Sequence, residues 1–454
     1  MDKNERHLHQ APLPRVTCSG FGGYRRAEQD FIRPERFDGL KPALNANVAT
    51  IAPRGLGRSY GDAALNENGA LLFVGRLDRF LAFDPETRVL RVEAGVRVLD
   101  IMRMAVPMGL TLAVAPGLSD ITVGGCAAFD VHSKNHWRCG GFGDWVLSMR
   151  VMLASGEMVD CTRTSNSELF YATLGGLGLT GIIAEIEIQL EILAGTLVRN
   201  KSDAFDGLDD LFRKFEDATV EAGHCVAWLD ILNGRDPNGI VISSVVTNEA
   251  CPDRKLSWGE MERKPLGLIA PFFNKLSNRA FNLMYAAKHR VFPHGDIDLR
   301  SFLFPWDALP NWNRLYGKPG FVEYQCCFPL EGAKRGFEEL ISAVARQRSN
   351  FPAYFAAVKR MRAGIGMLSF PIEGYSLLLD FPVRVGLFEF LDELDEIVAA
   401  HGGRVYLAKD GRLSASAFSR MYPNRDDWMK VRAKVDPGQR FSSNMGRRLN
   451  LGCR

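Results

Sequence analysis

The stretch Val123–Asn135, V-G-G-C-A-A-F-D-V-H-S-K-N, sets two adjacent glycines before small residues and follows them with an Asp, a His, a Lys and an Asn. Glycine has no Cβ, so a backbone that carries it can lie close against a flat or charged ligand. The polar cluster that follows, with His132 and Lys134 at its centre, can then address whatever is held there. Two more glycine-rich segments accompany it: Arg54–Asp62 (R-G-L-G-R-S-Y-G-D) and Gly175–Gly181 (G-G-L-G-L-T-G). Each alone is as compatible with a turn. Three of them in the first half of one chain point to a large cofactor with a phosphate group.

Neither outlying segment is a doubly wound dinucleotide fingerprint, which needs a strand, the glycines and then a helix. In the first, Gly61 falls one place late for G-x-G-x-x-G from Gly55, and Ala63–Gly69 is turn-like where a helix is required. Gly176–Gly181 matches the motif letter by letter, but it follows a predicted helix and precedes a predicted strand. For the first segment the alternative is a loop whose successive backbone N–H groups cradle phosphate oxygens.

The chain has 454 residues, enough for two or three domains. At 46% hydrophobic and 24% charged it has the composition of an ordinary globular protein, and a net charge of +3 gives no reason to expect nucleic acid. Nine scattered cysteines form no C-x-x-C or Cys/His cluster, so no metal site is expected, and they read as reduced thiols of the cytoplasm. Adjacent Cys326 and Cys327 read as small buried apolar residues. The polar N-terminus resembles no secretory signal, and no apolar run approaches the ~20 residues that span a bilayer.

Periodicity supplies the elements that must position these residues. Strands are expected at Val48–Ala52, Val89–Val96 and Ile182–Leu190, the last with one face exposed. Met149–Ala154 and Glu157–Cys161 read as a hairpin about Ser155-Gly156. Helices are expected at Leu99–Met108 and at Ser167–Leu174, capped by Ser165 or Ser167. Lys201–Val220 reads as one charged helix. Beyond it Val226–Leu232, Gly239–Val246, Val322–Phe328, Ala353–Arg360 and Tyr375–Phe381 read as strands, Arg384–Ala400 as an amphipathic helix and Val405–Asp410 (V-Y-L-A-K-D) as a closing strand. Arg254–Arg290 mixes eight Lys/Arg and two Glu with Trp258, Phe272, Phe273, Phe281 and Tyr285. It suits either an interfacial position on anionic lipid or a solvated helix with a core-facing stripe.

With these residues in view, the chain resembles the flavin-dependent oxidases of vanillyl-alcohol-oxidase type. The resemblance rests on R-G-L-G-R-S-Y-G-D, T-V-G-G with D-x-H-x-K-N-H, G-L-T-G-I-I, Y-x-A-K-D, and the tail K-V-D-P…F-S-S-N-M-G-R-R-L. It covers nearly the whole chain and is weakest between about 235 and 310. It implies an α+β, two-domain flavoprotein. An FAD-binding domain of PCMH type (1–196) is joined by a substrate domain with an antiparallel sheet (197–404), and a C-terminal segment (405–454) returns to the FAD domain. Among such oxidases, the motifs point to those that oxidise the 2′-hydroxyl of a polyprenylphosphoryl-β-D-ribose to the 2′-keto sugar. A short-chain dehydrogenase/reductase partner then completes an epimerisation to the arabinose donor used for cell-wall polysaccharide. The alternative is a soluble sugar, alditol or aldonolactone oxidase. The lipid-linked reading expects a protein peripheral at the inner membrane, touching its surface through 254–290.

The resemblance also implies roles. Pro53, Arg54, Gly55, Leu56, Gly57, Arg58, Ser59 and Tyr60, with Ala63, would hold the FAD pyrophosphate, and Gly117, Thr122, Gly124 and Gly125 would complete the cradle. Phe129, His132, Ile183 and Tyr406 would lie along the flavin. Relatives with covalent FAD often carry His where this chain has Arg58, so non-covalent FAD is expected, with His132 polarising the ring. Lys409 would meet the reacting hydroxyl as a base or as a cation beside developing alkoxide, its charge weakened by burial. Tyr60 is the second candidate for handling the proton. Gln325, Lys359 and Lys134 would contact substrate, with Trp228 and Tyr316 packing on sugar or lipid. Three positions depart from the family pattern: Leu378 for a Cys, Ser376 for an Asn and Glu323 for a Gln.

Overall fold

A computed structural model describes residues 13–232, 237–251, 258, 273–309 and 311–452. The chain is an α+β protein whose strands form a four-stranded, a five-stranded, a two-stranded and an eight-stranded sheet. In the first, Arg26–Ile32 and Ile51–Arg54 flank Ala70–Phe73 in parallel, and Arg15–Ser19 closes one edge. The five-stranded sheet runs Phe80–Asp84, Val89–Glu93, Ile182–Gln189, Val146–Met152 and Met158–Thr162, all antiparallel. The hairpin expected about Ser155-Gly156 is present, with Gly156 at φ +82°.

The eight-stranded sheet is antiparallel throughout and takes its strands from residues 197–405. Its order is His294–Asp298, Leu197–Asp206, Asn238–Val246, His224–Asp230, Ala356–Met361, Gly374–Pro382, Phe321–Pro329 and Arg404–Val405. Side chains alternate faces along a strand. Val322, Tyr324, Cys326 and Phe328, with Leu377, Leu379 and Phe381, join one core cluster with Phe215, Phe337, Leu340, Leu391 and Leu394, drawn from the helices Gly207–Glu221, Leu330–Gln347 and Leu387–Ala400. The opposite parity gives Glu323, Gln325, Ser376, Leu378, Asp380 and Lys359. These residues are polar apart from Leu378, and all but the partly exposed Lys359 are buried. A polar face under a second layer of protein costs stability unless its groups are paired.

Several elements differ from expectation. Lys201–Val220 is not one helix: Leu197–Asp206 is a strand paired on both sides, and the helix begins at Gly207. Glu185, on the supposed exposed face of Ile182–Gln189, is buried and paired with Arg91 and Arg150. Ser167–Thr173 starts after Asn166, which has φ +47° and makes no capping bond, so neither serine caps it. Leu330–Gln347 is a helix that periodicity reading passed over. Of Val405–Asp410 only Val405 is strand; from Tyr406 the chain turns, with Lys409 N donating to Tyr406 O at 3.0 Å.

Candidate active site

The loop after the strand Ile51–Arg54 exposes its backbone. None of the five N–H groups from Gly55 to Ser59 finds an acceptor among the described residues. Gly57 holds φ +68°, and a Cβ on Gly55 would overlap the Thr122 hydroxyl. Across the gap, Thr122 accepts from Gly125 N at 3.3 Å, and a Cβ on Gly124 would meet the Ala94 Cβ at 2.8 Å. Arg54 is fixed by the carbonyls of Ala64 (2.6 Å) and Ser19 (3.1 Å), and Arg58 pairs with Asp120. Successive unpaired donors, glycines that admit close approach and two flanking guanidiniums are the requirements of a pyrophosphate cradle. The loop opens into a cleft of about 1510 Å³, mouth included. Every residue expected along FAD lines this cleft. Gly178 and Gly181 line it too, although their segment is no dinucleotide fingerprint.

The polar sheet face borders the same cleft, with Glu323, Gln325, Lys359 and Leu378 in the lining. The turn Tyr406–Asp410 faces it. Tyr406 N donates to Gln325 O and Tyr60 N to Ala408 O, each at 2.8 Å. At Gly61 any Cβ would overlap the Asp410 carbonyl, so the third glycine of the first motif serves backbone-to-backbone contact rather than phosphate. Arg448, from the tail motif, reaches both sides of that contact, 2.7 Å from Asp62 and 3.0 Å from Asp410. Burial pushes the Asp410 carboxyl up, but Arg448 and Arg412 outweigh it and hold the group below its ordinary value. Lys409 is thereby set with Nζ 3.5 Å from the Tyr60 ring centroid and 2.8 Å from Glu323 Oε1. The expectation for Lys409 rested on burial alone and did not include this carboxylate partner.

Burial, with Lys359, His136 and Lys409 nearby, holds His132 well below its ordinary value, so its ring is neutral. The Gln325 amide nitrogen lies 2.9 Å from His132 Nε2 and 2.8 Å from Ser376 Oγ. With the amide as donor, Nε2 accepts and Nδ1 carries the proton, and Nδ1 has no partner among the described residues. Burial and Lys409 lower Lys359 to about 8, Glu323 opposing them. Tyr60 is pushed well above its ordinary value by burial and then by Glu323 and Asp380, so its hydroxyl stays protonated.

Gln325 and Lys359 are brought together with Lys409 and His132; three other expected substrate contacts are not. Lys134 turns away, donating to the Phe302 carbonyl with Nζ 4.2 Å from the Phe302 ring centroid, and burial lowers it to about 7. Trp228 packs on Tyr285 at 5.0 Å. Tyr316 stacks on Phe321 at 4.3 Å and donates to Asp380 Oδ2 at 3.2 Å, behind the lining. Sequence reading passed over Asp380, Trp306, Phe355 and Arg448. Period-two alternation puts Asp380 on the face of Leu378, and Arg448 stands in the quoted tail motif, whereas Trp306 and Phe355 carry no local signal.

An FAD binding domain family matches residues 41–162, and a D-arabinono-1,4-lactone oxidase family matches 380–449, the segment that holds Asp380, Lys409 and Arg448. Together with the cradle and the hydride-accepting chemistry that bound FAD supplies, these define an FAD-dependent oxidoreductase of the PCMH type. Decaprenylphosphoryl-beta-D-ribose oxidase of Mycolicibacterium smegmatis is 36% identical over 421 residues, 88% of this chain and 89% of that one. L-gulonolactone oxidase of Mus musculus is 28% identical over 407 residues, 85% of this chain and 86% of that one. Delta(24)-sterol reductase of Homo sapiens is 31% identical over 246 residues, 51% of this chain and 47% of that one. The chain belongs to the decaprenylphosphoryl-beta-D-ribose oxidase family.

Proposed function

We propose that the protein oxidises the 2′-hydroxyl of a polyprenylphosphoryl-β-D-ribose to the 2′-keto sugar, using non-covalent FAD. The observation that carries this is that one cleft joins a phosphate cradle to Lys409, Lys359, Gln325 and neutral His132, in a chain so similar to decaprenylphosphoryl-beta-D-ribose oxidase. Arg58 has no nucleophilic atom with which to bond a flavin, and His132 Nε2 is engaged by Gln325. The keto product needs a reductase to become the arabinose epimer, so a short-chain dehydrogenase/reductase is the proposed partner. The test is anaerobic: a polyprenylphosphoryl ribose should bleach the bound flavin, and alditols or aldonolactones should not. Bleaching by the free sugars alone would assign the protein to soluble sugar oxidation.

The same reading includes peripheral attachment to a membrane. Of the basic stretch, 254–257 and 259–272 lie outside the described residues. No described helix is long and apolar enough to cross a membrane. Trp258 is buried against Phe304, and Phe273 and Tyr285 pack inward on Tyr316 and Trp228. On the helix Lys275–Val291 and the residue after it, however, Leu276, Phe281, Leu283, Met284, Val291 and Phe292 are more than half exposed. Lys275, Arg279, Lys288 and Arg290 accompany them with no acidic residue. The inner face joins a cluster containing Trp228 and Phe355, and Phe355 lines the cleft. An apolar, basic helix backing the substrate end supports docking on anionic lipid. Flotation with anionic but not neutral vesicles, lost in L276D/L283D, is the expected result; flotation unchanged by that double substitution would refute the assignment.

A further inference from the structure

We propose that Glu323 is the acceptor of the hydroxyl proton, with Lys409 the ammonium that orients the hydroxyl and stabilises the alkoxide forming from it. The proposal rests on the reading of the cleft as an alcohol-oxidising site.

The groups facing the reacting end are Lys409, Tyr60, His132, Lys359 and Glu323, with Asp380 and Tyr316 behind them. Tyr60 keeps its proton, His132 Nε2 is occupied by Gln325, and Lys409 Nζ is engaged by Glu323 Oε1 at 2.8 Å. Glu323 is the only carboxylate among the described lining residues. It reaches that position by strand parity, on the cleft side of Phe321–Pro329 and two residues from Gln325.

Directly opposite on the neighbouring strand stands Asp380. Two buried carboxyls in register resist carrying two charges. Burial and then Glu323 push Asp380 well above its ordinary value, which favours its protonated form. Oδ2 of Asp380 accepts from Tyr316, and Oδ1 has no partner among the described residues. A protonated Asp380 puts no second negative charge behind Glu323.

The step balances. The O–H bond breaks and its proton bonds to a Glu323 oxygen. The C–H bond breaks with its electron pair, which would leave as hydride to the acceptor that FAD supplies when bound. The C=O bond forms, and Glu323 returns the proton to solvent before the next turnover. The Lys409 ammonium keeps its protons throughout.

The test is Glu323→Gln in the FAD-loaded protein. The expected result is a fall of at least ~100-fold in the rate of flavin reduction, the scale of a lost general base, with FAD retained and partial recovery in Glu323→Asp. A second readout needs no turnover. In the resting enzyme, infrared spectroscopy should show a protonated-carboxyl band that Asp380→Asn removes. In Glu323→Gln the Asp380 band should persist only to a lower pH, because its charged neighbour is gone. A reduction rate within threefold of wild type, or an Asp380 band that titrates unchanged in Glu323→Gln, would overturn the proposal. If wild type is not reduced by the lipid-linked ribose, the substrate reading fails instead, and the same comparison with any alcohol that does reduce the flavin still decides the role of Glu323.

Discussion

Replacing Arg448 by Met should unfasten the active site from a distance. The guanidinium sits between Asp62 and Asp410, whose side chains are 7% and 2% exposed, and its own is 19% exposed. It also donates to Leu413 O at 2.6 Å. Methionine keeps the hydrophobic stem but takes the paired guanidinium from Asp62 and leaves Asp410 with Arg412 alone. Removing one partner of a buried pair costs about 3–5 kcal/mol, because the stranded charge is worse than no pair at all. Unfolding entropy near 2.1 cal/mol/K per residue over 454 residues is roughly 1 kcal/mol/K, so the melting temperature should fall by roughly 3–5 °C. Catalysis should fall further than stability, since Asp410 neighbours Lys409 and Asp62 lies two residues from Tyr60. Acid provides a second signature. The Asp410 carboxyl is held below its ordinary value of 3.8, so the stability it contributes is present above that value and is lost as pH falls through the lowered one. The difference between wild type and variant should therefore be full at neutral pH and shrink in acid. Differential scanning calorimetry of the FAD-loaded proteins reads both effects, and R448M/D62N/D410N should recover most of the loss. A melting temperature within 1 °C of wild type at neutral pH would show that the clamp carries no load.

Three further outcomes follow from the same geometry. Gly61→Ala should impair Lys409 as severely as a substitution of Lys409 itself, because the added methyl overlaps the Asp410 carbonyl; flavin reduction close to wild type would mean that the two backbones separate freely. Lys359, lowered to about 8, is a cation below that pH and neutral above it, so KM for a phosphate-bearing substrate should rise as pH passes about 8, and Lys359→Met should flatten that rise; an unchanged profile would place the phosphate elsewhere. Denaturation should release all the flavin into the supernatant, and flavin left on the precipitate would refute non-covalent binding.

The cofactor end was legible because its chemistry is backbone chemistry. Gly55, Gly57 and Gly124 stand where the backbone takes a positive φ or closely approaches Thr122 and Ala94, and the three glycine-rich segments together point to a cofactor with a phosphate group. The substrate end was legible in part. Glu323 and Gln325 are two apart on a strand, which places both on one face once the strand is recognised. Lys134 misled because it sits in the same short stretch as His132, yet a cation can turn back to a carbonyl such as that of Phe302 without any mark in the sequence. Lys201–Val220 misled for a related reason: its charges suit a helix in isolation, but strands on both sides claim the backbone through Asp206, and tertiary pairing overrides propensity.

V-Y-L-A-K-D carries the same lesson further. It reads as a strand, and its first residue is one. From Tyr406 the pattern yields to demands made hundreds of residues away: Tyr60 takes the Ala408 carbonyl, Gly61 lets Asp410 approach, and Arg448 binds the two sides together. A continued strand would have carried Lys409 along the sheet edge. The turn delivers it onto Glu323 and over Tyr60 instead. Lys409 is thus placed by contacts between residues hundreds of positions apart, and substitutions at Gly61 or Arg448 should read as catalytic defects although neither residue lines the cleft.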